Sequence, residues 1–120
     1  QATSQATCDN MEYAADLSIP DGYVAAPGEV MSKTWRVKNL GPCTWDQAYS
    51  LIFAYGSENP NWDTSKPADL SYVVLPGQTV EITVNLTAPT ASGEYNAFFI
   101  LQNDKGVNFG KVMWIFIKVQ

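Results

Sequence analysis

In TVEITVNLT, residues 79–87, Val80, Ile82, Val84 and Leu86 alternate strictly with Glu81, Thr83, Asn85 and Thr87. Successive side chains of an extended chain point to opposite faces, so a period of two sends one set to a core and the other to water. Breakers close the stretch at both ends: LPGQ (75–78) leads in and APTASGE (88–94) leads out. Proline presets φ for a turn and glycine supplies positive φ, so each is a reversal with a mechanism.

The same grammar holds outward in both directions. MEYAADLSI (11–19) alternates weakly through Tyr13, Ala15, Leu17 and Ile19, and EVMSKTWRVKN (29–39) sets Trp35 and Val37 against Thr34, Arg36 and Lys38. SLIFAYG (50–56), EYNAFFILQ (94–102) and KVMWIFIKV (111–119) are apolar on both faces. That is the pattern of central strands or of a sheet whose second face is covered. IPDG, APGE, LGPCTW and NDKG separate these runs. No stretch of helical length carries a 3.6-residue period. The expectation is an all-β chain, an immunoglobulin-like sandwich of about seven short antiparallel strands. Within SGEYNAFFIL, Tyr95 follows a glycine turn at the start of a strand, the setting of a tyrosine corner, in which the phenol pins a crossover.

Composition removes many functions. At 120 residues the chain has the length of one domain, and 46% apolar content suits a globular core. Seven Lys and Arg against twelve Asp and Glu leave a net charge of −5, the wrong sign for nucleic acid or an anionic lipid surface. No apolar run is long enough for insertion of this domain into a membrane. With no histidine, the usual general base, zinc ligand and Ser-His or Cys-His pairs are missing. No glycine-rich phosphate loop is present either. The expectation is a non-enzymatic domain without catalytic residues, cofactor or metal. QATSQAT at the start is small and polar, so residues 1–10 read as a linker or tail and 11–120 as the domain.

The cysteines can be placed by assuming that 12–19 and 30–39 form a consecutive antiparallel pair. Their connection centres near residues 24–25, so facing residue numbers should total about 49. Cys8 and Cys43 total 51 and fall at the same end of the pair, where a disulfide can close. Two independent buried thiols are the alternative. A bridge belongs to an oxidising compartment, extracellular or in the cell envelope. KTWRVKNLGPCTW (33–45) then becomes a stapled corner, with Trp35, Trp45 and Trp114 expected in or over the core because aromatics in alternating strands are usually packed.

One stretch, YGSENPNWDTSKPADL (55–70), has neither period nor core composition. Tyr55, Asn59, Asn61, Trp62 and Asp63 bring aromatic faces together with amide and carboxylate groups, which suits stacking on a sugar ring. A protein-binding loop has the same composition, and a tryptophan folded back over the sandwich is the bland reading. Glu58, Asp63 and Asp69 match no calcium-loop spacing. Asn85 heads a formal glycosylation acceptor, NLT, which matters only in a eukaryotic secretory setting.

IPDG, PGEVMSKTWRVKNLGPCTW, LPGQTVEITVNLTAPTASGEY and FGKVMWIFIKV together resemble the four-tryptophan (FW) domain. This is the Ig-like domain of Nbr-type (next-to-BRCA-one) selective-autophagy receptors, found also in secreted or envelope proteins of bacteria. The resemblance covers about residues 11–119, with KTWR to TW its most specific part. It implies family tryptophan positions at Trp35, Trp45 and Trp114, with Phe99 where the family carries a fourth and Trp62 in an insertion-like loop. The cysteine pair is similar to that of bacterial members, which implies export. Protein binding is the activity the resemblance implies. The sequence therefore leads to an interaction or adhesion module with a protein partner. A carbohydrate-binding module using Trp62 and a structural spacer are the alternatives. A spacer would expose no large apolar patch.

Overall fold

A computed structural model describes residues 8–57, 68–70 and 72–120. The described residues form eight strands and no long helix. These are β1 (Met11–Asp16), β2 (Tyr23–Ala25), β3 (Val30–Asn39), β4 (Ser50–Gly56), β5 (Ala68–Asp69), β6 (Thr79–Thr87), β7 (Gly93–Gln102) and β8 (Asn108–Val119). They divide into a three-stranded sheet, β1-β3-β6, and a five-stranded sheet, β2-β8-β7-β4-β5. Core residues alternate along the strands as the sequence predicts: Val80, Ile82, Val84 and Leu86 of β6 are buried between the sheets. Trp35 and Val37 of β3 face them from the same sheet, and Tyr95, Ala97, Phe99 and Leu101 of β7 close the core from the other.

The β1–β3 pair is antiparallel, with Met11 opposite Asn39 and Tyr13 opposite Val37, one residue from the expected register. The sulfurs of Cys8 and Cys43 are joined at its end, with their Cα atoms 5.2 Å apart. Gly41 is required beside them, since a Cβ there would collide with the Cys8 carbonyl. Asn39, fully buried, organises the same corner. Its amide nitrogen donates to the Cys43 carbonyl at 2.8 Å and the Val74 carbonyl at 3.1 Å, and its amide oxygen accepts from Gly41 N–H. Trp45 lies beneath, wholly buried against Phe109 and Tyr49 at ring distances of 5.7 and 6.4 Å.

Residues 8–10, on the linker side of the expected boundary, are bonded into the sandwich. Asp9 is buried, accepting from the Tyr49 hydroxyl at 2.7 Å and from the Asn103 amide at 2.8 Å. Asn103 in turn uses its amide oxygen to hold the Lys105 and Val107 N–H groups of the β7–β8 turn. Burial, then the hydrogen bond and charge of Asp9, push the Tyr49 phenol well above its ordinary range. A raised folded-state value means stability that is complete below the unfolded tyrosine pKa of about 10 and is lost as pH rises through the folded value. Alkaline unfolding should therefore steepen above about pH 10 and be less steep in Tyr49→Phe, read by absorbance titration. Ionisation of all six tyrosines at the ordinary value in folded protein would refute the buried network.

Three expectations need correction. The first strand stops at Asp16 rather than running to 19, and Tyr13 and Leu17 are exposed, 44% and 40%. β1 is an edge strand with a bulge between Tyr13 and Ala15, so only Met11 must reach the core. The connection 20–28 contains β2, which crosses to the second sheet and runs parallel to β8. Three residues, half-buried Tyr23 and buried Ala25 inward with exposed Val24 between them, are too few to carry a readable period. Lastly, Trp114 is not core. It is 42% exposed on the outer face of β8, because Met113, Ile115, Ile117 and Val119 take the inner face.

Candidate interaction surface

The outer faces of the two sheets differ in chemistry. On the three-stranded sheet Arg36 meets Glu81 at 2.8 Å, the Thr34 and Thr83 hydroxyls meet at 2.7 Å, and Ser32 donates to Asn85 at 2.7 Å. This is an ordinary solvated face. On the five-stranded sheet the central outward positions are aromatic. Phe98 stands opposite both Trp114 and Tyr55 in the ladders, and Phe116 stands opposite Asn96. Tyr55 lies flat on Phe98 at 4.6 Å, while Trp114 and Phe116 pack on its other flanks at 6.1 and 6.4 Å. Tyr55 (54%), Trp114 (42%) and Phe116 (40%) remain open to solvent. Val24 of β2, more than half exposed, extends the patch toward the sheet edge.

A bulge between Phe53 and Tyr55 creates this face. It lets Phe53 pack toward Phe99 in the core while Tyr55, two residues on, points outward. A second irregularity, where Gly110 adopts φ +81, lies on β8 opposite the step from Phe99 to Leu101. A Cβ at Gly110 would run into the Met11 side chain, so the bulge is tied to the contact between β8 and β1.

At the edge of the aromatic face the sandwich opens. β2 covers β8 only at residues 117–119, with one further bond from Gly22 N–H to the Phe116 carbonyl. Below that point a cleft of about 300 Å³ separates β8 from β1 and the β1–β2 connection. Tyr13, Asp16, Asp21, Lys111 and Trp114 line it, with Trp35 at its base. The Trp114 indole N–H donates to Asp21 at 3.3 Å. Behind Asp16 lies Lys33, fully buried. Its ammonium is bound by the Asp16 carboxylate and by the Ser18 and Ile19 carbonyls at 2.7 Å each, 5.6 Å from the Trp35 ring centroid. These bonds anchor a connection in which Ile19 holds the unusual φ of +49. The Tyr13 phenol is pushed upward, first by burial and then by the charges of Asp16 and Asp21.

Trp35 and Phe99, each expected from sequence to be a structural aromatic, meet at 5.6 Å between the sheets. The Tyr95 hydroxyl donates to the Ala91 carbonyl at 2.8 Å, pinning the β6–β7 crossover. Of the proposed ligand residues only Tyr55 is described. Asn59, Asn61, Trp62 and Asp63 lie outside the described residues. Asp9 lies within 4.8 Å of both sulfurs, but those sulfurs are bonded to each other and its carboxylate oxygens serve Tyr49 and Asn103. The oxidised cluster therefore offers no thiolate to a metal ion. Phe98, Phe116, Asp21 and Tyr13 join the surface only through the fold. Lys118 shares parity with Trp114 and Phe116 while Lys111 shares parity with Met113 and Ile115, so charge does not choose the outward side of β8 from sequence.

The model of the family described as the Ig-like domain from next to BRCA1 gene matches residues 18–119. The chain belongs to this family. Among curated proteins, this next-to-BRCA1 Ig-like domain is 33% identical over 104 residues to the mouse Next to BRCA1 gene 1 protein, covering 87% of this chain and 10% of that protein. It is 27% identical over 107 residues to Protein JOKA2 of Solanum tuberosum, covering 89% of this chain and 12% of that protein. Zebrafish Protein ILRUN is 22% identical over 111 residues, covering 92% of this chain and 38% of ILRUN. The chain thus spans only a small part of these relatives.

Two solved structures share the fold. The CARDB domain of PF1109 from Pyrococcus furiosus has a TM-score of 0.54 at 14% identity, covering 92% of this chain and 90% of that one. AvmM, which catalyses macrocyclization in alchivemycin A biosynthesis, has a TM-score of 0.58 at 12% identity, covering 92% and 89%.

Proposed function

We propose that this next-to-BRCA1 Ig-like domain is a non-catalytic protein-interaction module of an exported bacterial protein. Its partner docks on the aromatic outer face of the five-stranded sheet. The exposed Tyr55–Phe98–Trp114–Phe116 cluster carries the reading. Aromatic side chains supply large, rigid contact area and dominate the energetics of protein interfaces. The outer face of the three-stranded sheet is by contrast polar, built from the Ser32–Asn85, Thr34–Thr83 and Arg36–Glu81 pairs. A spacer would have two such faces, so the cluster counts against that alternative. Family membership supports protein as the partner class, and the Cys8–Cys43 bridge supports export.

The test is affinity capture from the source organism with the domain as bait, repeated with a Phe98→Ala/Phe116→Ala variant whose melting temperature is checked first. Loss of two interface anchors should weaken a captured partner at least about 30-fold, equivalent to ~2 kcal/mol. Equal binding by variant and parent overturns the docking face. A glycan array that gives signal where no protein is captured transfers the function to sugar binding.

A further inference from the structure

We propose that the cleft between β1 and β8 is a subsite for a basic side chain, lysine or arginine, of the docked protein. This rests on the reading of the domain as a protein-interaction module and specifies what its partner must carry.

Several independent features converge there. The cleft is concave, at about 300 Å³, the lower end of the range that holds a ligand group. Two of its walls are aromatic and open, Tyr13 at 44% and Trp114 at 42% exposure. An aromatic face attracts a cation placed over it. Two carboxylates, Asp16 and Asp21, line the same space. Asp21 is exposed, and it receives the Trp114 indole N–H, which fixes the ring beside the charge. Asp16 is ion-paired with the buried Lys33 yet keeps a side-chain exposure of 32%. The Tyr13 phenol on the same lining is pushed upward, first by burial and then by the charges of Asp16 and Asp21.

The fold already demonstrates the chemistry one layer deeper. Lys33 sits 5.6 Å from the Trp35 ring with Asp16 as its counter-ion, an internal cation held by an aromatic face and a carboxylate. The open cleft repeats the pairing of an indole with a carboxylate in Trp114 and Asp21. Trp114 belongs both to the cleft and to the aromatic face, so a partner lying on Phe98 can reach the cleft without leaving the surface. The net charge of −5 favours a basic partner on approach. Lys111 on the same rim is the one lining group that opposes this, and it makes the proposal sharper. Its removal should help an incoming cation.

The probe is the blocked peptide acetyl-Gly-Arg-Gly-amide, with acetyl-Gly-Lys-Gly-amide as the second cation. Acetyl-Gly-citrulline-Gly-amide is the neutral isostere. Indole N–H resonances of the labelled domain are followed by NMR, with Trp114 assigned from Trp114→Phe. Either basic peptide should shift the Trp114 indole saturably, while the citrulline peptide should not. Asp21→Asn keeps an acceptor for the indole but removes the charge, and should weaken the response at least about fivefold, as should raising salt to about 0.5 M. Lys111→Ala should strengthen it. Equal shifts from citrulline and arginine peptides, or no saturable shift with either basic peptide, overturn the subsite. If a captured partner loses binding on Phe98→Ala but is indifferent to Asp21→Asn, the aromatic docking face stands and the cation subsite falls.

Discussion

Trp35→Ala is expected to destabilise the domain by about 3–5 kcal/mol, the cost of truncating a fully packed core aromatic. Trp35 is 1% exposed and lies opposite Ile82 on β6, in ring contact with Phe99 from the other sheet. Its loss therefore removes an inter-sheet contact, and it also takes away the aromatic face beside the buried Lys33 ammonium. One effect works the other way. Trp35 lies at the base of the β1–β8 cleft, so water can enter the vacated volume and no sealed void is left. That relief places the expected loss toward the lower half of the range. At about 4 °C per kcal/mol for a domain of this size, the melting temperature should fall by about 12–16 °C. Trp114→Ala is the matched comparison: it removes one exposed hydrogen bond and a ring contact with Phe98, so a smaller loss of about 1 kcal/mol is expected. The pair is measured by thermal or urea unfolding. A loss below about 1 kcal/mol for Trp35, or equal losses for the two, would contradict the division between core and surface indole drawn here.

That division also shows what could be read from sequence. β6 was legible because its two faces differ at every position, and burial follows the alternation without exception. The register of β1 on β3 followed from one hairpin assumption, to within a residue. β8 was harder. Val112, Trp114 and Phe116 compete with Met113, Ile115 and Ile117 for the inside, and hydrophobicity alone cannot choose between two apolar faces. The structure gives the core to the odd-numbered set and leaves Trp114 and Phe116 outside, which is how an exposed aromatic face escapes a reading by hydrophobicity. Phe98 was obscured in the same way beside Phe99. The cleft was illegible for a different reason. Tyr13, Asp21 and Trp114 are far apart in sequence and meet only because β2 crosses to the second sheet, a step set by three residues without a period. Lys33 shares parity with Trp35 and Val37, so the pattern did mark a cation on the core face. Its meaning needed the Asp16, Ser18 and Ile19 acceptors that the β1–β2 connection folds over it.

Opening the Cys8–Cys43 bridge should cost about 3–4 kcal/mol, the chain-entropy value for a closed loop of this size. The bridged residues are 35 apart in sequence. What the bond secures is more than loop entropy. Cys8 precedes Asp9, whose carboxylate joins the Tyr49 hydroxyl and the Asn103 amide across three separate segments. With the bridge open, Asp9 can leave, and a buried phenol and amide then lose their shared acceptor, a penalty of about 1–3 kcal/mol if neither finds a replacement. Asn10 and Cys8 still offer their carbonyls to Leu40 and Cys43, so part of the register survives reduction and the network need not dissolve. The two contributions therefore do not simply add. A fall in melting temperature of about 12–16 °C is expected for reduced protein and for the Cys8→Ser/Cys43→Ser variant alike, by calorimetry. Alkaline titration supplies the second readout: Tyr49 should ionise at lower pH once Asp9 is released. An unchanged midpoint under full reduction would mean that the β1–β3 ladder alone holds this corner. Thiol trapping in cells of the source organism applies the same chemistry to location, since structural disulfides form in oxidising compartments and are rare elsewhere. Recovery of both cysteines as free thiols would remove the export proposal while leaving the sandwich and its aromatic face in place.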